Sequence, residues 1–447
     1  MARPDTAPAG GGLMRTRGHD RAVASVRAMV AGRVPHALLL SGPAGIGKTT
    51  LAMDLAAGLM CDAPDAAARP CRACRGCRLV EHGNHSDLYR LAPTGPGDQI
   101  KIGDRDRPAD GTVRRLAAQL VLHAVEGGWR VAIFERADRL TEDAQSALLK
   151  LLEEPPSGVA IVLCADDEDR LLPTVRSRTA RIRLGPVATR EIEEFLGEAG
   201  IADPPLAARL ARIAGGRPGT ARTLALAPEA LVARDEIQRG MLDLLGASPA
   251  IRLAAARDLT ARATDLLRAV DRVVAAGSAA GDAGPDAAPR RGRAKAARRD
   301  GPVPGPASAG GTAGTAADTS PDPDGETGDE DDESAVEAGA SRATASAAER
   351  RRAAGTVIGL WRDVSRDLRL VQLGADRQVR DPALLDDLRA AAVSLGSSTG
   401  VDAAVGAFLV RLDAAGELLE ANVRPEIILD TLLLHWPRAA LPAAVAS

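Results

Sequence analysis

Aromatic side chains are scarce in this 447-residue sequence: three Phe, three Trp and one Tyr make up 2% of it. Hydrophobic residues still reach 45%, so the cores must be built mainly from Ala, Leu and Val. No run of about 18 uncharged apolar residues occurs, which argues against a membrane-spanning helix. The opening "MARPDTAPAGGG" has no apolar stretch of the kind a secretory signal needs, so a cytoplasmic location is expected. A strong charge of one sign is also lacking. The net charge of −3 gives no global field to attract nucleic acid, and any DNA contact would need a local patch.

What is present has the length for two or three domains. Residues 1–18 read as a disordered leader. From 19 to 186, short apolar runs alternate with helical ones. "ALLLS" (37–41), "DLYRL" (87–91), "VAIFE" (131–135) and "AIVLCA" (160–165) read as buried strands. Thr141 is a suitable N-cap for "EDAQSALLKLLEE", and Pro155-Pro156 stop that helix. Strands alternating with helices imply an α/β domain whose parallel sheet is covered on both faces. Residues 187–228 read as a small helical lid, with Thr189 capping its first helix. Residues 229–275 and 348–447 read as one all-helical domain. Between them, residues 276–347 have almost no large apolar side chains and cannot offset the entropy of ordering. That insertion holds a basic cluster at Arg290–Arg299 and an acidic run at Asp322–Glu333. The reading favours a solvated tether over a DNA-touching arm.

"GPAGIGKTT" follows the first strand and opens a helix, fitting G-x-x-x-x-G-K-[ST] at Gly42, Gly47, Lys48 and Thr49. Gly45 and Thr50 belong to the same candidate phosphate site. Inward-turned backbone N–H groups and the helix N-terminus would hold phosphate, Lys48 would reach the terminal phosphates, and Thr49 would sit on Mg²⁺. Hydrolysis needs more: one carboxylate for the metal and a second to activate water. Where that pair is expected, at the end of "RVAIFER", stand Glu135 and Arg136. A guanidinium has no lone pair to take a proton. Losing a positioned base costs about 10²–10⁴ in rate. ATP with Mg²⁺ is therefore a candidate ligand but not an expected substrate for this chain.

Four of the five cysteines fall in the pattern C-x9-C-x2-C-x2-C at Cys61, Cys71, Cys74 and Cys77. Clustered cysteines in a cytosolic chain read as metal ligands before disulfides. Four thiolates with no open position define a structural zinc site, which can contribute roughly 10–16 kcal/mol of apparent folding energy. An iron–sulfur cluster and a redox disulfide are the lesser alternatives. His82 and His85 are surplus to the set and read as surface residues; Cys164 reads as core packing. Arg69, Arg72, Arg75 and Arg78 raise a rival reading as a DNA-contacting zinc knuckle. It lacks the interleaved aromatics that stack bases.

The phosphate loop, the cysteine cluster after its helix, "LTEDAQSALLKLLEEPP" and "DRLLPTVRSRT" together resemble the bacterial clamp-loader subunits of DNA polymerase III, which are AAA+ proteins. The likeness covers 19–228 well and extends weakly to "ELLEANVRPEIILDTLLLHW", which is similar to the family's collar domain. It implies a parallel P-loop sheet, a helical lid and an all-α collar. In the family's motor type, gamma or tau, a strand ends Asp-Glu, a Thr or Asn follows the next strand as sensor 1, and a lid Arg serves as sensor 2. Here Glu135-Arg136, Ala165 and Gly219 stand at those points, with Arg217 and Arg222 flanking the last. These departures fit the family's delta-prime type, a non-hydrolysing stator within the polymerase holoenzyme. An ATP-hydrolysing gamma/tau-like motor, with Asp138 as base, is the alternative. The resemblance also implies that Arg178, in Ser177-Arg178-Thr179, is an arginine finger for a neighbour's ATP, with Arg176 the less favoured candidate. The implied partners are gamma/tau and delta subunits, and through them the sliding clamp and primed DNA.

Overall fold

The computed structural model describes residues 12–94, 98–126, 128–282, 331–396, 399–421 and 423–438. Its first part alternates helices and strands in chain order: α1 (Asp20–Ala31), β1 (Ala37–Ser41), α2 (Lys48–Leu59), α3 (Arg75–Glu81), β2 (Leu88–Leu91), α4 (Val113–Val121), β3 (Arg130–Phe134), α5 (Glu142–Glu153), β4 (Val159–Ala165), α6 (Pro173–Arg176) and β5 (Ala180–Arg183). The five strands form one parallel sheet in the order β2-β3-β4-β1-β5. Every residue of β1, β3 and β4 is buried, as expected for central strands covered on both faces. Alternate side chains feed two cores. Leu38, Leu40, Ile133 and Val162 pack toward α1 and α2, while Leu39, Phe134, Ile161 and Leu163 pack toward α4 and α5. Ser41 pairs in register with Ala165, which brings the carboxyl ends of β1 and β4 level. In open parallel sheets that edge is where ligands bind.

β5 was not among the strands expected from apolar runs. Its sequence "ARIR" is mostly exposed, and Arg181 and Arg183 give the sheet edge the charge that blunts edge-to-edge pairing. Residues 12–18, read above as the end of a leader, are instead fastened to the cysteine segment. Gly12 N–H donates to Ala67 O at 3.0 Å and Leu13 N–H to Pro70 O at 2.9 Å. Residues 1–11 lie outside the described residues.

Three short helices follow: α7 (Thr189–Glu198), α8 (Pro204–Ala214) and α9 (Pro218–Leu226). Thr189 does not cap α7. The N-cap is Ala188, with no side-chain bond, and Thr189 is the first helical residue. Asp203 caps α8 by accepting from Leu206 N–H, and Gly215 ends it at φ 58. The remaining helices are α10 (Pro228–Asp243), α11 (Pro249–Asp282), α12 (Asp331–Gln372), α13 (Leu385–Leu395), α14 (Thr399–Glu420) and α15 (Pro425–His435). One continuous core runs from Ile192 and Leu210 through Met241 and Trp361 to Trp436. Trp361, Phe408 and Trp436 meet at its centre, with ring centroids 4.7–5.4 Å apart. Of the 276–347 tract expected to lack structure, residues 283–330 lie outside the described residues. Its two flanks continue α11 and α12; they are Ala-rich, and Ala has the highest helix propensity. The basic cluster and most of the acidic run fall outside the described part. No described helix is long and apolar enough to cross a membrane.

Candidate functional site

The phosphate loop joins β1 to α2 at the ligand-binding edge of the sheet. Gly42, Gly45 and Gly47 have φ of 147°, 76° and 111°, a region that glycine enters freely and other residues rarely do. Space is as restrictive as torsion: a side chain would run into Leu184 O from Gly42 and into Thr220 Oγ1 from Gly45. Lys48 opens α2 with its side chain only 6% exposed. Its ammonium donates to Gly42 O at 2.5 Å, to Pro43 O at 2.9 Å and to Asp166 Oδ1 at 2.6 Å. Thr49 lies against Cys164, whose thiol burial pushes up to about 12. Thr50 is exposed. It lines a cleft of about 620 Å³ together with Arg17, Gly47, Phe195, Gly219 and Arg222. The loop torsions suit a phosphate cradle, and Gly42, Gly45, Gly47, Lys48, Thr49 and Thr50 are the residues that would hold one.

The carboxylates around the loop are engaged elsewhere. Glu135 accepts from Arg90 on the neighbouring strand, at 2.8 Å from Nε and 2.6 Å from Nη2. Arg136 donates to Asp98 Oδ2 at 2.9 Å. Asp138 is buried and accepts from the Asp166 N–H at 3.0 Å. Ala165 is buried at the end of β4 and offers no polar side chain. The next residue, Asp166, is the carboxylate beside the loop that the sequence reading did not single out. Its signal lay in "CADDEDR", an acidic run placed directly after a buried strand.

The lid is tied to the loop by a backbone hydrogen bond. Gly219 N–H donates to Gly45 O at 2.8 Å, and a side chain at Gly219 would meet that same oxygen at 2.9 Å. The two arginines beside it diverge. Arg222 lines the cleft on the Gly47–Thr50 side. Arg217 lines a second cleft with Pro43, Gly45, Arg234 and Asp363 and donates to Ala214 O.

Arg178 follows α6. Its side chain is 36% exposed, with Nη2 2.8 Å from Glu153 Oε1 and Nη1 donating to Thr174 O at 3.0 Å. Arg176 is instead bound to Asp169, a residue of the turn that precedes α6.

Cys61, at the end of α2, Cys71 and Cys74 in the following loop, and Cys77 in α3 place their sulfurs within 4.8 Å of one another. Tetrahedral zinc–thiolate bonds of about 2.3 Å would set sulfurs roughly 3.8 Å apart, and Cys74 Sγ lies 3.9 Å from Cys61 Sγ. Four backbone N–H groups already point at these sulfurs. Asp62 and Cys77 donate to Cys74, and Ala63 and Cys71 donate to Cys61, at 3.3–3.5 Å. The Cys71 thiol is drawn down to about 6, chiefly by a hydrogen bond from the Ala73 N–H. Burial pushes the Cys61 and Cys77 thiols up. The donor set and its spacing therefore fit a metal ion. Three of the four arginines behind the DNA-knuckle reading are used internally. Arg69 donates to Ala63 O, Arg72 binds the Asp54 carboxylate and Leu13 O, and Arg75 binds Glu126. His85, expected at the surface, is buried and accepts from the Asp87 N–H.

A five-stranded parallel sheet in this order, with a glycine-rich loop entering α2 and a helical lid against that loop, defines a P-loop domain of the AAA+ class. Residues 20–188 match the family described as DNA polymerase III, delta subunit. DNA polymerase III subunit delta' of Pseudomonas aeruginosa is 37% identical over 42% of this chain and 55% of its own length. The Escherichia coli subunit delta' is 35% identical over 46% of this chain and 58% of its own length. DNA polymerase III subunit gamma/tau of Mycobacterium tuberculosis is 36% identical over 34% of this chain and 25% of its own length. The chain thus spans a little over half of the delta' relatives and a quarter of that gamma/tau relative.

Proposed function

We propose that the chain is the delta-prime-type stator of a DNA polymerase III clamp loader, which helps to load the sliding clamp onto primed DNA. One observation carries the reading: the position that should activate water is the Arg136 guanidinium, paired with Asp98. The neighbouring carboxylates do not replace it, since Glu135 is held by Arg90 and Asp138 is buried under Asp166. Such a loop can cradle phosphates without a base to cut them. Arg178 would act in trans, reaching from the end of α6 to stabilise phosphoryl charge on a neighbour's ATP. Gamma/tau and delta subunits are the partners in this reading. Cys61, Cys71, Cys74 and Cys77 would hold a structural Zn²⁺.

The intact Gly42–Thr49 loop and the likeness to gamma/tau subunits favour a second reading, a hydrolysing motor. ATP turnover by the purified chain separates the two. The stator reading expects no turnover above background alone, and a stimulated ATPase once gamma/tau and delta subunits are added. Steady hydrolysis by the chain alone, abolished by Lys48→Ala, would establish the motor instead.

A further inference from the structure

Among the described residues, Asp166 forms the one contact to Lys48 that carries a full negative charge. A lysine ammonium has three N–H donors, and all three are occupied, by Gly42 O, Pro43 O and Asp166 Oδ1. A phosphate oxygen can take this ammonium only by displacing one of them. The two carbonyls are neutral and belong to the loop itself. The carboxylate is an anion standing where another anion would have to arrive.

The backbone of Asp166 is held in place beside the loop. Its N–H is fixed by Asp138 Oδ1 at 3.0 Å, and it directly follows the fully buried β4. Its second oxygen lies 3.9 Å from Arg136 Nε, while the Arg136 Nη1 is engaged by Asp98. Lys48 and Arg136 are thus already met by carboxylates of the same chain. The docked Gly219–Gly45 backbone bond is formed in this same arrangement.

We propose that Asp166 is a built-in counter-anion for Lys48, which competes with the terminal phosphates of a nucleoside di- or triphosphate and keeps the phosphate loop in a low-affinity state. The inference rests on the phosphate-loop assignment but not on the stator role. It also explains how a chain can keep every glycine and the lysine of the loop without being held by nucleotide.

The test is nucleotide affinity, measured by titration calorimetry with ADP and ATP on the full chain, with and without Mg²⁺. Asp166→Asn keeps the shape and removes the charge; Asp166→Ser is the second variant should the first fail to fold. Tightening of about tenfold, equivalent to about 1.4 kcal/mol, is expected in both conditions. The double variant Asp166→Asn/Lys48→Ala should lose that gain. Affinity no tighter than the parent's overturns the proposal, and a loss confined to Mg²⁺ would identify Asp166 as a metal ligand. A gain that survives removal of Lys48 also overturns it. Turnover by the parent chain would sink the stator reading while leaving this measurement intact.

Discussion

Arg178 Nη2 lies 2.8 Å from Glu153 Oε1, so the arginine proposed as a finger is held by the last residue of α5. The partner is half exposed, and exposed pairs of this kind contribute only about 0–1 kcal/mol. A phosphate can therefore take the guanidinium from Glu153 at small cost. In an assembly with gamma/tau and delta subunits, Arg178→Ala should lower the stimulated ATPase at the affected site by roughly 10³–10⁵, with little change in the melting temperature of the chain alone. An assembled ATPase equal to the parent's would refute the finger assignment.

The cysteine cluster predicts a metal-dependent local fold. Elemental analysis should find a single zinc per chain. Chelation or Cys77→Ala should expose the 61–81 segment to protease and release Gly12 and Leu13, whose N–H groups bond to its carbonyls. The expected loss is several kcal/mol, within the roughly 10–16 kcal/mol of apparent energy such sites supply. Metal-free protein with an unchanged proteolysis pattern would contradict this.

Gly219 is required by the approach of the lid to the loop. In Gly219→Ala the new methyl would sit 2.9 Å from Gly45 O. A loss of about 1–3 kcal/mol in chemical denaturation is expected for such overpacking. Gly219→Arg should be worse and should not create an ATPase. An unchanged denaturation midpoint for the alanine variant would show that the lid rests elsewhere.

Asp381 fastens the lid to the helices that follow. It is fully buried and accepts from Arg209 Nε and Nη2 at 3.0 Å and from Arg234 Nη1 at 2.9 Å. Burial alone would raise its carboxyl, but the hydrogen bond from Arg209 and the charges of both arginines outweigh it, and the net shift is downward. Its folded pKa is below its unfolded value, so its contribution is full above about pH 4 and is lost as pH falls through the lower folded value. Asp381→Ala should cost about 3–5 kcal/mol near neutral pH, because the buried Arg234 guanidinium loses its nearest partner. The gap between parent and variant should narrow on acidification below pH 4. A gap that is constant with pH would remove the electrostatic explanation.

The parts legible in the sequence were those with a local cause. β1, β3 and β4 were readable because buried parallel strands are runs of apolar residues, and the loop because Gly42, Gly47 and Lys48 sit between a strand and a helix. The four cysteines announced themselves by spacing. What escaped was set by tertiary contact. β5 is charged and mostly exposed, so no pattern marked it. Residues 12–18 gain order from Asp54, which accepts from the N–H groups of Arg15 and Thr16 across 38 or more positions. His85 is buried by the fold around it, and Asp166 gained its meaning only when β4 was laid beside β1.

The poverty in aromatic residues has an optical consequence. Two of the three tryptophans, Trp361 and Trp436, are fully buried in one ring cluster, while the third, Trp129, is partly buried against the sheet. Replacing Trp129 with Phe leaves emission from the helical half alone. Replacing the other two leaves a lone reporter one residue before β3, so the two halves can be followed separately by their own light.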